Sequence, residues 1–167
     1  MVSGDRASSR CGGEVSGLQL KVPPDAIWLG VAALMWLAAA TTPGFAIPTL
    51  LRLGIAAPLL GVGVAIVVAA RLMLSRAHTT WRPADPGRTT SLVTDGVYRH
   101  SRNPIYLGML FALLAWAVVL ADPLALALSA VFVLYVDRFQ IGPEERALSE
   151  VMGDEYRDYM GRVRRWL

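Results

Sequence analysis

Four apolar blocks, at about residues 26–42, 50–74, 104–121 and 123–140, constrain this chain more than anything else in it. Each is at or near the roughly 17–25 helical residues needed to cross a hydrocarbon core. Inside a bilayer every backbone N–H and C=O must be satisfied within the protein, so such blocks fold as helices. The punctuation between them agrees. Pro23-Pro24-Asp25 opens the first block and Pro43-Gly44 closes it, while Pro104 opens the third and Asp122-Pro123 separates the last two. So short a connection between two membrane helices makes them an antiparallel hairpin. Pro58, Gly61 and Gly63 fall inside the second block. They are tolerated in lipid, where small residues let neighbouring helices approach closely. Trp28, Trp36 and Trp116 suit either the membrane interface or the interior of the bundle.

Composition excludes an ordinary soluble domain. The chain is 54% hydrophobic and 17% charged, with a mean hydropathy of +0.46, whereas soluble domains carry about 25% charged residues. Its 167 residues are one domain's worth. A net charge of +3 is too small to argue for a nucleic-acid partner, and the arginines instead gather between and after the apolar blocks, where they meet lipid or an anionic ligand. Residues 1–22 hold no apolar run and read as a disordered, dispensable tail, in which the single cysteine, Cys11, is an inert thiol. Residues 23–167 form the single membrane domain.

Sidedness follows from arginine. The segment 75–102 carries Arg76, Arg82, Arg88, Arg99 and Arg102, and the chain after Phe139 carries Arg146, Arg157, Arg162, Arg164 and Arg165. The turns at 41–49 and 122–123 carry none. The positive-inside rule therefore makes both termini and the middle loop cytoplasmic in a multi-pass protein of the cell membrane. Residues 143–160 have apolar positions at Leu148, Val151, Met152, Tyr156 and Tyr159, spaced by three and four, which predicts an amphipathic helix on that face, interrupted at Gly153. The expected fold is all-α, a polytopic membrane helical bundle of four transmembrane helices with a C-terminal amphipathic helix on the cytoplasmic face.

Two polar segments are candidates for chemistry, 92–108 and 142–159, and the hairpin between them brings them together. Arg102-Asn103-Pro104 has two readings: a capped helix start with headgroup anchors, or a helix N-terminus that binds an anion, flanked by Tyr98 and Tyr106 for a flat ring. Glu144-Glu145 after Pro143 is likewise either an acidic helix start or a carboxylate pair facing a ligand. His78 and His100 lack partners at metal-ligand spacing, so no metal site is expected. No serine or cysteine lies in a nucleophile motif.

The strings Leu92-Val93-Thr94, Gly96, Tyr98, Ser101-Arg102-Asn103-Pro104, Tyr106-Leu107-Gly108, Glu144-Glu145, Leu148, Gly153, Tyr156 and Tyr159, in that order around a helical hairpin, resemble the isoprenylcysteine carboxyl methyltransferases. That family is related to the phospholipid N-methyltransferases, and the resemblance covers about the last half of the chain. It implies a membrane methyltransferase using S-adenosylmethionine. By position it assigns Thr90, Ser91, Leu92, Val93, Tyr98, Asn103, Pro104, Ile105, Tyr106 and Glu144 to the cofactor, and Arg138 and Gln140 to the acceptor. Many members have His where this chain has Asn103, and the acceptor-contacting Arg of the prenylcysteine enzymes aligns with Gln140. No side-chain nucleophile is implied, because methyl transfer from a sulfonium needs alignment and exclusion of water. The implied partners are membrane lipids and a lipophilic or small acceptor bearing a carboxylate, thiol or amine. Two other readings stay open: a nicotinamide-dependent membrane reductase of the steroid-reductase type, which shares an Arg-His-Pro-x-Tyr segment, and a non-catalytic scaffold.

Overall fold

The computed structural model describes residues 23–77 and 92–167; the expected N-terminal tail, and the cofactor assignments at Thr90 and Ser91, lie outside the described residues. The chain runs as α1 (Pro24–Thr41), α2 (Thr49–Arg76), a 3-10 turn (Gly96–Arg99), α3 (Pro104–Leu120), α4 (Pro123–Val136), a π turn (Asp137–Ile141), α5 (Gly142–Met152) and α6 (Asp154–Arg162). No strand occurs among the described residues. Three helices are long and apolar enough to cross a membrane: α1, α2 and the continuous helix Pro123–Met152. α3 is as apolar but shorter, at 17 residues. The chain is a multi-pass membrane protein.

Prolines start the helices as expected. Pro24, Pro104 and Pro123 each sit in a first turn, where the missing N–H has no intrahelical partner to lose. The hairpin turn is tight. α3 ends on Ala121 in the left-handed region (φ 51°), and Asp122 caps α4 by accepting from the Ala125 N–H at 2.8 Å. The α1–α2 connection is fastened to this turn. The Phe45 N–H donates to the Ala121 carbonyl at 2.7 Å, and the Thr42 hydroxyl donates to the buried Asp122 carboxylate.

Burial is arranged from α3 outward. Tyr106, Leu107, Leu113, Ala115 and Ala117 of α3 are buried, whereas α1 buries only Met35 and α2 only Ala56, Gly63 and Ala70. The remainder of α2 is an apolar exterior, with Leu50, Leu53, Leu60, Val64 and Leu72 all exposed. That is the expected inversion for a chain whose outer surface meets lipid. Met35, Leu113, Phe132 and Val136 make the fully buried centre where α1, α3 and α4 meet. Two tryptophans belong to the bundle, since Trp28 donates to the Met109 carbonyl (2.9 Å) and Trp116 to the Ala32 carbonyl (3.1 Å). Trp36 faces outward.

The crossing of α2 with α3 depends on two glycines. A Cβ at Gly63 would stand 2.7 Å from the Gly108 carbonyl oxygen, and one at Gly108 would stand 2.6 Å from the Gly63 carbonyl oxygen. Only glycine permits backbones to meet so closely. This contact fixes the first turns of α3 against the middle of α2.

One stretch departs from the expected boundaries. The fourth apolar block does not stop before Gly142-Pro143; it continues into α5 through the π turn, in which the Gly142 N–H reaches back to the Asp137 carbonyl. Pro143 has no N–H to give and its ring would crowd a regular α-helical turn, so one wider turn lets the helix pass. The amphipathic segment is interrupted where expected. Gly153 has φ +60°, and α6 leaves in a new direction.

Candidate functional site

Two adjacent carboxylates on α5 have separate partners. Glu144 is partly buried, and its Oε1 accepts from the Tyr106 phenol at 2.5 Å. No cation pairs with Glu144 among the described residues. Glu145 is buried, lies 3.1 Å from Arg102 Nη1, and accepts from Arg165 through Nε (3.2 Å) and Nη2. Successive helical residues project about 100° apart, so one carboxylate faces the first turn of α3 while the other faces the chain end.

The α3 start is assembled from three directions. The 3-10 turn buries Tyr98 and places Ser101, Arg102 and Asn103 immediately before Pro104. Gly96 holds φ +56°, and a Cβ there would meet the Met73 side chain at 2.6 Å, so the turn lies directly on the end of α2. From α6, the Tyr159 hydroxyl donates to the Tyr98 carbonyl at 2.7 Å. Asn103 stands at the N-cap position but makes no side-chain cap bond; its Nδ2 donates instead to the Arg165 carbonyl at 3.1 Å. The first-turn N–H groups of α3 are left without that cap.

Electrostatically the site mixes neutral phenols with an ion-pair network. Burial, followed by the nearby Tyr159 and Glu144, pushes the Tyr98 phenol well above its ordinary range. Tyr156 is raised in the same way, first by burial and then by Glu145. The Tyr159 phenol is pushed up to about 12 by burial, with Arg102 opposing. All three keep their protons across the physiological range. Hydrogen bonding to Glu145 raises the Arg165 guanidinium, and Asp137 adds to it. Arg102 is 11% exposed, and its Nε and Nη1 make no hydrogen bond despite the Glu145 contact.

The expected cofactor residues that the structure describes thus gather at one end of the bundle. Tyr98, Asn103, Pro104, Tyr106 and Glu144 surround the α3 start; Ile105 is half-buried beside them, and Leu92 and Val93 are half-buried in the segment leading into the 3-10 turn. The two acceptor assignments separate. Arg138 is exposed and lines a polar groove of about 580 Å³ with Arg146, Ser149, Glu150 and Met160, whereas Gln140 is buried in the π turn. No cluster of metal-ligating side chains occurs among the described residues. Glu145 and Tyr159 stood in the recognised motif without an assigned role, and Arg165 and Asp137 were not singled out. The acidic pair was visible in the sequence, but nothing local marks which member turns toward Arg165.

Comparison with known proteins identifies the family. Residues 51–155 match the phospholipid methyltransferase family. An uncharacterized protein of Haemophilus influenzae is 46% identical over 63 residues, 38% of this chain and all of that protein. Methanethiol S-methyltransferase 1 of Bradyrhizobium diazoefficiens is 37% identical over 86 residues, 52% of this chain and 28% of the relative. The protein-S-isoprenylcysteine O-methyltransferase of Mus musculus is 36% identical over 75 residues, 45% of this chain and 26% of the relative. The matched stretches therefore span about a quarter of those two enzymes.

Proposed function

The chain belongs to the phospholipid methyltransferase family, whose members use S-adenosylmethionine, and from that premise we propose that it transfers a methyl group at the membrane to a lipophilic or small acceptor. α1, α2, α3 and α4 all cross the bilayer in this reading. At 1.5 Å per residue the 17 residues of α3 rise about 26 Å, close to the hydrocarbon thickness. Arg71, Arg76, Arg99 and Arg102 lie at the site end together with the arginines of α5 and α6, so that end is cytoplasmic and takes its cofactor from the cytoplasm.

The observation that carries the reading is the Tyr106–Glu144 hydrogen bond, which joins the two polar segments across the hairpin. The residues present suit a ligand with a sulfonium, an amino-acid zwitterion and a flat base. Glu144 offers a carboxylate with no cation beside it among the described residues, Tyr98 and Tyr106 offer aromatic faces, and the uncapped first turn of α3 offers N–H donors to an anion. Thr90, Ser91, Leu92, Val93, Asn103, Pro104 and Ile105 complete the proposed cofactor site. S-adenosylmethionine supplies, when bound, an activated methyl carbon and its own leaving group. The acceptor lone pair bonds to that carbon as the C–S bond breaks with its electron pair going to sulfur, and an amine or thiol acceptor also sheds a proton. The chain's task is to hold both partners in line and keep water out.

The names of the two relatives specify a small thiol and an isoprenylcysteine, which supports a thiol or carboxylate acceptor, with a lipid amine also within reach. Arg138 and Gln140 stand on the acceptor side of this reading, Arg138 from the polar groove. Family membership favours methyl transfer over the reductase and scaffold readings. Calorimetry on the protein in detergent tests it: saturable binding of S-adenosylmethionine but not of reduced nicotinamide cofactor is expected, and Glu144→Gln and Tyr106→Phe should each weaken it about tenfold, roughly 1.4 kcal/mol. Absence of saturable binding by the unaltered protein would sink the reading.

A further inference from the structure

After α6 the chain turns extended at Val163 and crosses back over the site. Its backbone is stitched to the segment before α3: the Arg164 carbonyl accepts from the Arg102 N–H at 3.0 Å, and the Arg165 carbonyl accepts from Asn103 Nδ2 (3.1 Å) and from the buried Ser101 hydroxyl (3.3 Å). Its side chains are stitched to the far wall. Arg165 Nη1 reaches both Asp137 oxygens, at 3.0 and 2.9 Å, its Nε and Nη2 reach Glu145, and the Trp166 indole N–H donates to Asp137 at 3.3 Å. Residues 163–166 therefore join the loop before α3 to the π turn and the start of α5, the two walls that carry Asn103 and Glu144. The family match ends at residue 155, before this segment begins.

We propose that residues 163–166 are a strap that completes the cofactor site, with Arg165 as its positioning residue. By holding Glu145 and Asp137 together, Arg165 fixes the rotation of α5 about the π turn, and so leaves the neighbouring Glu144 facing Tyr106. The π turn interrupts the regular α-helical ladder, and ion pairs from one guanidinium to its first residue, Asp137, and to Glu145 beyond it tie the turn to α5. Arg102 approaches Glu145 without a hydrogen bond and cannot replace the forked contact that Arg165 makes. The inference rests on the cofactor reading above, but has a readout of its own.

The test compares Arg165→Met, Arg165→Lys and a chain ended after Arg162 with the unaltered protein, all in detergent, using S-adenosylmethionine itself as the probe. A misplaced binding group forfeits its hydrogen bonds to the ligand, and tenfold in affinity is about 1.4 kcal/mol. Arg165→Met and the shortened chain should accordingly raise the cofactor dissociation constant by about tenfold or more, while Arg165→Lys recovers part of the loss. Glu145→Gln added to Arg165→Met should add little, because the two act as one unit. Equal affinity in every variant overturns the strap and leaves the methyltransferase reading standing. If the unaltered protein binds no cofactor, that reading fails, and hydrogen exchange on ligand-free protein judges the strap by itself. Loss of protection at the Arg102 amide in Arg165→Met, with the Leu107 amide unchanged, supports the clamp; unchanged protection at both overturns it.

Discussion

The two ends of the bundle use their polar groups differently. At the turn end, Thr42 and the Ala125 amide consume Asp122, while Arg52 donates to the carbonyls of Ile47 (2.8 Å) and Phe45 (3.1 Å). These groups finish the backbone bonding of the turns, as lipid-adjacent structure requires. At the site end, among the described residues, Glu144 has a phenol and no cation for a partner, Arg102 faces Glu145 while two of its nitrogens make no hydrogen bond, and the first turn of α3 has no side-chain cap. Satisfied polar groups hold a structure together; donors and acceptors held in reserve by a rigid frame are what a ligand can use.

Substitutions can break or sharpen that contrast. The largest effect is expected midway between the ends, at Gly108→Leu. Its side chain would drive the α2 and α3 backbones apart, so we expect a loss of about 3 kcal/mol or more in detergent unfolding, with cofactor binding lost as well. Asp122→Ala should act on the turn end alone. Removing the α4 cap and the Thr42 partner should cost about 1–3 kcal/mol, read by the same unfolding assay, while cofactor affinity stays within about twofold. Equal damage to both properties would mean that the ends are not independent. Arg157→Met marks the lower bound. Its pair with Asp154 is exposed, and its removal should change stability by less than about 0.5 kcal/mol and leave affinity unchanged.

Much of the fold was legible because lipid leaves few alternatives. Prolines at 24, 104 and 123 mark helix starts, Asp122 marks the hairpin, and Gly153 marks the break between α5 and α6. The π turn was not legible, because Gly142-Pro143 reads locally as an end and a new beginning; continuity depends on one N–H reaching a residue further back. The meeting of Tyr106 with Glu144 followed from the hairpin. The strap did not. Arg164 and Arg165 look like headgroup anchors in sequence, and their partners lie 20 to 64 residues away, beyond any periodic signal. Asn103 shows the same limit: the family pattern names the position, but only the folded chain shows its amide engaged by the Arg165 carbonyl.

The Gly63–Gly108 contact is main chain against main chain, so no trimming of a neighbouring side chain can make room for a larger residue at either position. Shortening Val67, whose methyl would also be struck, relieves only part of the collision. A genetic search for second-site suppressors of a substitution here should therefore return few. Those it does return must shift a helix axis, and Tyr106, two residues along α3, would shift with it.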